Sequence, residues 1–393
     1  MGSGYTGLHA ALQTARDGLS TVVLDAAELG SGCSSRNGGQ VSTSVKGSFT
    51  ELAAKYGEQQ AQALLQEGVN ALEYLDGFIS EESIDCDWVR CGHFSGAHNP
   101  AAYERKAREL QALPSDLGIE WQMVPRVEQR REIGSDLYHG GVIFPGHGAL
   151  HPGKYHQGLL SRVQSAGAMT IGHCAVQRIE KRESGFDVHT AAGVIRAGKV
   201  AVATNGYTGA VSPWLRRRII PIGSYIIATQ PLSEAVAREI SPFGRTMTDT
   251  RRLVYYYRLC PRGQRMIFGG RVALSETDPG VSAPRLHAAM SEVFPQLSTA
   301  QISHSWLGFV GYTFDALPHV GEHEGIFYSM GYCGSGVSLA SYCGSILGRQ
   351  MCGEAHRSAF MDTEFKSRPL YCGNPWFLQP SIAYYRFRDR INY

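Results

Sequence analysis

The sequence predicts a two-part α/β fold: a parallel-sheet unit interleaved with an α+β unit built on an antiparallel sheet. Three observations predict it. The chain opens with Gly2-Ser3-Gly4-Tyr5-Thr6-Gly7, a G-x-G-x-x-G pattern, followed by a helix, a short strand and an acid. A second glycine cluster, Gly331 to Gly336, precedes another apolar helix near the far end. Between them, amphipathic helical stretches and runs rich in Tyr, Ile and Val take turns.

The elements follow in order. Thr6 to Arg16 carries Leu8, Ala11, Leu12 and Ala15 at helical spacing, and Gly18 stops it. Thr21 to Asp25 reads as a strand closed by a carboxylate, about 20 residues past the turn, where it would meet a ribose hydroxyl. Glycines let the backbone approach a pyrophosphate, and the helix start supplies positive potential. Met1 alone precedes Gly2, so the first strand of such a unit is missing from the sequence. A start internal to a longer chain is expected; a chain truly lacking the strand should have an impaired site. Gly30 to Val41 then offers small residues, hydroxyls and an Arg–Asn pair for phosphate oxygens.

Phe49–Tyr56, Glu58–Ser80 and Pro100–Leu113 predict helices. Ile219–Thr229, Arg252–Cys260 and Arg265–Val272 predict strands of a large antiparallel sheet. Glycine motifs at both ends would serve one ligand, so the nucleotide unit is expected to be discontinuous: 1–48, 140–215 and 311–360. The substrate unit is then 49–139 plus 216–310, with 361–393 as a C-terminal tail. That tail mixes aromatics with Arg and is expected to pack on its own domain rather than on a membrane or partner.

Composition narrows the function. Of 393 residues, 43% are hydrophobic and 18% charged, with a formal net charge of +2, which argues against nucleic acid as a partner. Arg216-Arg217-Arg218 is expected to be a solvated turn. Nine cysteines without C-x-x-C, and no leader before the first motif, predict a reduced, cytoplasmic protein. No apolar run approaches the ~20 residues of a membrane span. His147 and His151 are four apart, but Gly148 and Pro152 argue against a helix there and no third ligand is evident, so no metal is expected.

LDAAELGSGCSSRNGGQV, following GSGYTGLHAAL, resembles the FAD-binding start of the D-amino-acid oxidase-like (DAO) flavoprotein amine oxidoreductases. The likeness continues through 140–152, 200–209, 253–272, 306–321, 331–340 and 383–390, and is strongest to the branch oxidising gamma-glutamylputrescine, in putrescine catabolism. The resemblance implies a Rossmann-like FAD-binding domain. It places Gly2, Gly4 and Gly7 on the pyrophosphate and Asp25 on the adenosine ribose. Ser34, Arg36, Asn37, Gly38, Gly39 and Gln40 would run toward the isoalloxazine ring. Val176 would meet the adenine side. Thr204 and Asn205 would end a strand beside the cofactor. Gly331, Gly334, Ser335, Gly336 and Val337 would begin the last helix under the flavin, where a helix start stabilises an anionic reduced ring.

No second glycine fingerprint is evident, so a pyridine nucleotide is not expected and the substrate itself would reduce the flavin. For an amine, a hydride equivalent leaves the carbon next to nitrogen, and water hydrolyses the imine to an aldehyde. Tyr255, Tyr257, Trp306, Tyr312 and Tyr332 are the candidates for an aromatic pocket. Tyr255 and Tyr257 share one strand face; Tyr256 and Arg258 hold the other. Arg258 is either a receiver for a substrate carboxylate or structural. Two departures from the family bear on mechanism. Val310 stands where sarcosine oxidases attach flavin through cysteine, so non-covalent FAD is expected. The oxygen-activating lysine has its counterpart near Ile267, so efficient oxidase chemistry is doubted; oxygen or another electron acceptor stays open. The alternatives are a D-amino-acid dehydrogenase or glycine/sarcosine-type oxidase, and a truncated, non-catalytic relative.

Overall fold

The fold is taken from a computed structural model, which describes residues 1–261, 264–271 and 278–391, without the side chains of 386, 390 and 391. The end of the expected strand Arg265–Val272, at Val272, lies outside them. The glycine turn leads into the helix Tyr5–Arg16, whose Leu8 and Leu12 are buried. This helix crosses the long helix Gly336–Cys352 closely. A Cβ on Gly344 would stand 2.6 Å from the Thr6 carbonyl oxygen, and one on Gly348 2.8 Å from that of Ala10. Absent side chains let the two backbones touch, and Leu64, Leu72, Leu159 and Leu347 complete the core around them.

Chain segments far apart in sequence form the nucleotide-type layer. Val22–Leu24 pairs in parallel with Met169–Ile171. Val200–Val202 pairs in parallel with Ile326–Met330, which also pairs antiparallel with His319–His323. Met1 and Gly2 lie between the two sheet pieces. The Met1 nitrogen donates to Ala201 (2.9 Å), Ala203 N–H donates to the Met1 carbonyl (2.9 Å), and Gly2 N–H donates to Leu24 (2.8 Å). Two residues thus make the backbone bonds that set the glycine turn against both strand ends.

The second layer is an eight-stranded sheet in the order Ile302–Tyr312, Ile220–Thr229, Met266–Gly270, Tyr256–Leu259, Thr246–Asp249, His93–Gly96, Gly141–Phe144, Gln122–Val124. Neighbours are antiparallel except Thr246–Asp249 with His93–Gly96. Gly141–Phe144 pairs here, so the expected boundary at 140 cuts into this sheet. Phe268 and Tyr257 pack with Leu286, Met290 and Phe294 beneath it. The predicted helices stand at Phe49–Tyr56, Glu58–Glu81 and Pro100–Gln111. Ser48 caps the first with a capping box and Asn99 the last, ahead of Pro100. Arg218 is not a solvated turn residue: its guanidinium lies 3.7 Å over Trp214 and donates to the Phe365 carbonyl.

Candidate active site

One cavity of about 1010 Å³ runs between the two layers. Gly2 and Gly4 line it at the start of the first helix. Gly4 brings no side-chain cap; instead the Ser34 hydroxyl accepts from the Tyr5 N–H at 3.0 Å. Gly7 does not line the cavity. A Cβ there would fall 1.9 Å from the Gly2 carbonyl oxygen, so its task is to let the helix close on the turn. Asp25 lines the same end, where its Oδ2 accepts from the Ser3 amide (2.7 Å) and hydroxyl (2.6 Å). Val176, Thr204 and Asn205 border it there as well.

Ser34, Arg36, Asn37, Gly38, Gly39 and Gln40 all line the wall. Asn37 holds this loop in shape: its side-chain amide donates to Ser34 (2.9 Å) and Cys33 (3.2 Å), and its Oδ1 accepts from Gly39 N–H (2.8 Å). Gln40 donates to the carbonyls of Met247 and Tyr257, fastening the loop to the large sheet.

Gly334, Ser335, Gly336 and Val337 line the cavity where the long C-terminal-half helix begins, again without a side-chain cap. Gly331 does not. Its φ of +89° and its N–H, donated to Asn205 Oδ1 at 3.0 Å, make it the hinge that aims the loop. Two helix starts whose own N-cap residues bring no side-chain cap therefore face one cavity, and glycines bare the backbone beside each. That donor set fits the phosphates and an electron-rich ring edge of a flavin dinucleotide.

The aromatic candidates divide. Tyr312 and Tyr332 line the cavity. The Tyr332 hydroxyl is already bonded to Thr6 (2.6 Å) and Ser329 (2.9 Å), so it positions the helix. The Tyr312 hydroxyl hangs over the glycine loop, 3.7 Å from where a Gly334 Cβ would be, and burial keeps it protonated. Tyr255 and Tyr257 are not on this wall. Both pack on Phe268, and the Tyr257 hydroxyl donates to that of Tyr138 (2.7 Å) inside the sheet's own core. Tyr256, on the opposite strand face, lines the cavity instead, held by Ser224 at 2.7 Å. Trp306 is also outside; its indole donates to the Arg36 carbonyl (2.8 Å). Arg258 lies against Gly39 and donates to Leu150 (2.7 Å), away from the cavity.

His147 donates or accepts at Thr43, and His151 caps the helix Pro152–Ser165. Neither borders the cavity. Four contributors escaped sequence reasoning. Lys46 lines the cavity as an exposed residue, and the protein around that space lowers the pKa of its ammonium. His93 lines it with both ring nitrogens bonded, to Thr246 (2.8 Å) and Thr248 (2.9 Å). Arg252 borders it beside Tyr385. Finally, Phe377 and, from the C-terminal helix Leu378–Ile391 that follows it, Ile382 and Tyr385 close one end. The Lys46 signal was available as a lone cation soon after the glycine loop; the others had none.

A family model, the FAD dependent oxidoreductase family (DAO), matches residues 1–350. The chain belongs to this family. Among curated DAO-type relatives, it is 33% identical over 404 residues to the probable oxidoreductase OrdL of Rhizobium meliloti, covering all of this chain and 91% of that one. It is 30% identical over 399 residues to the gamma-glutamylputrescine oxidoreductase of Escherichia coli, covering all of this chain and 92% of that one. Among solved structures, glycine oxidase from Geobacillus kaustophilus superposes with a TM-score of 0.75 at 18% identity, over 92% of this chain and 97% of that one. L-proline dehydrogenase from P. horikoshii gives 0.75 at 17%, over 97% and 96%. The DAO fold is therefore shared across the chain. The protein is an FAD-dependent oxidoreductase, and among its described residues no helix is long and apolar enough to cross a membrane.

Proposed function

We propose that this DAO-family protein oxidises a gamma-glutamylputrescine-like primary or secondary amine, with FAD held non-covalently. One observation carries the proposal. The cavity beyond the Gly334 loop is walled by Tyr256, Tyr312, Phe377 and Tyr385, and the same chain is 30% identical along its whole length to a gamma-glutamylputrescine oxidoreductase.

The flavin, when bound, would take the hydride equivalent from the carbon next to the amine nitrogen. The chain's part is binding, orientation and exclusion of water. Gly2, Gly4 and Ser34 would hold the pyrophosphate and Asp25 the ribose. Gly38 to Gln40 and Gly334 to Val337 would flank the ring. The Tyr312 phenol, kept neutral by burial, would hydrogen-bond the uncharged amine without adding a charge. His93 stays neutral, its pKa lowered by burial to about 3, so it contributes shape and polarity rather than a proton. The aromatic and helical walls would keep bulk water from the reacting carbon. Val310 lines the cavity, and burial raises the nearby Cys33 thiol to about 11, which leaves it a poor nucleophile. Acid precipitation should therefore release all flavin into the supernatant.

The deciding experiment is anaerobic addition of gamma-glutamylputrescine to the yellow protein. Loss of the visible flavin band supports the proposal. Bleaching by glycine, sarcosine or D-amino acids alone redirects it to those substrates, and a colourless protein points to a cofactor-free role. Reoxidation by oxygen against an artificial acceptor then separates oxidase from dehydrogenase.

A further inference from the structure

The charged side chains around the cavity are unequal in number and in state. Its acidic side chains among the described residues are Asp25 and Asp249. Asp25 is occupied by the Ser3 amide and hydroxyl at the glycine-turn end. Asp249 is fully buried, paired with Arg251, and its carboxylate also accepts from the Arg251 and Tyr255 amides (both 3.2 Å). Neither is available to a cationic ligand. The cationic side chains are Arg36, Lys46, Arg252 and Arg271. Arg36 sits on the loop proposed for the cofactor, and Arg271 is held by the Gly223 carbonyl.

Lys46 differs from the rest. It lies in the segment after Gln40–Val41, beyond the loop proposed to flank the ring, and its side chain enters the cavity. The charged and titratable groups it feels are the Cys333 thiol and the Lys106 ammonium; no carboxylate is among them. Lys106 is itself engaged with Glu109. Lys46 is exposed to the open cavity, where water solvates its ammonium; a ligand that displaces this water leaves the charge uncompensated unless it brings an anion.

We propose that Lys46 is a specificity-determining residue that receives a carboxylate at the far end of the amine substrate. The preferred substrates are then amines carrying an anionic tail, such as a gamma-glutamyl group, and not free diamines, whose second ammonium would face Lys46. This deepens the amine-oxidoreductase proposal and rests on it for the identity of the reacting end.

The test is equilibrium binding to the oxidised, flavin-loaded protein, followed by calorimetry. Glutarate stands for the anionic tail, and glutaramide is its uncharged counterpart. Glutarate is expected to bind at least about tenfold more tightly than glutaramide, the value of one charge-assisted contact. Lys46→Met should abolish that preference, and Lys46→Arg should restore most of it. Lys106→Met, outside the cavity, should leave glutarate binding within about twofold. Equal binding of the two probes by the wild type overturns the proposal. So does a preference that survives in Lys46→Met with unchanged flavin content and melting temperature. If Lys46→Met does not fold, Lys46→Gln takes its place under the same criteria. Glutarate preference without bleaching by any amine would leave the carboxylate subsite standing and remove the amine chemistry.

Discussion

Ser3 and Asp25 are joined twice: the Ser3 amide and hydroxyl both donate to Oδ2 of Asp25, at 2.7 and 2.6 Å. The Ser3 hydroxyl also accepts from Gly30 N–H at 3.0 Å. The unnamed x of the glycine pattern thus ties the turn, the acid after the strand and the next loop into one unit. Ser3 thereby fixes the direction of the Asp25 carboxylate, for which a ribose is the proposed partner.

Asp25→Ala should therefore weaken FAD binding by about tenfold or more, since hydrogen bonds to a charged group contribute roughly 1.5–3 kcal/mol. Ser3→Ala should cost less. Fluorescence titration of the apoprotein with FAD checks both; equal affinity of Asp25→Ala and wild type would remove the carboxylate from the site.

The two tyrosine classes should separate by assay. Tyr312→Phe should lower kcat/KM for the amine about tenfold or more with an unchanged melting temperature. Tyr257→Phe should do the reverse: it removes a buried hydroxyl pair with Tyr138, costing about 1 kcal/mol of stability, with flavin content retained. Denaturant titration beside steady-state kinetics reads the difference.

The C-terminal helix is a wall of the cavity. Asp389 holds it there by accepting from the amides of Arg252 (3.1 Å) and Leu253 (3.3 Å), while the Arg252 guanidinium lies 5.7 Å from the Tyr385 ring. Asp389→Ala should raise KM for the amine more than it lowers kcat, and should speed proteolytic nicking after residue 370. Unchanged kinetics with faster nicking would show the helix to be irrelevant to substrate.

Stability should fall with acid. Burial holds His9 and His93 near pKa 3 and His147 near 4, against an ordinary 6.5. The unfolded chain binds protons below about pH 6.5 that the folded chain refuses, so this stability is present above that pH and is lost progressively as pH falls. Each group is worth ~1.4 kcal/mol per pH unit within its window. Urea unfolding at pH 7 and pH 5 should show the drop, and His9→Gln should flatten it while losing the bonds to Tyr155 and Tyr74.

The helix crossing should tolerate no added volume. Gly348→Leu would drive a side chain into Ala10 and Gln13, and overpacking of this kind costs roughly 1–3 kcal/mol or more. A lower melting temperature with reduced flavin content is expected, because the same helix pair presents both of its starts to the cavity.

Local sequence determined a good deal by itself. Periodicity of apolar residues located the helices Tyr5–Arg16, Phe49–Tyr56 and Glu58–Glu81 within a residue or so, because an amphipathic helix writes its buried face at a fixed spacing. Gly2, Gly4 and Asp25 line one end of the cavity, as the motif led one to expect, because close backbone approach leaves few residue choices at such a turn. Tertiary structure decided the rest. Alternation along 255–258 says that two faces exist. It does not say which one meets the cavity, because both are covered, one by Phe268 and Phe294 and the other by Gly38 and Gly269. Gly7 and Gly331 fit the motif, but their neighbours assign them to packing and to a turn. The C-terminal helix reaches the cavity through contacts more than a hundred residues apart in the chain, and Lys46 meets residues there from distant segments; such neighbours leave no local pattern. Which side chains meet the substrate is thus set by how the layers stack, a property that no single segment carries.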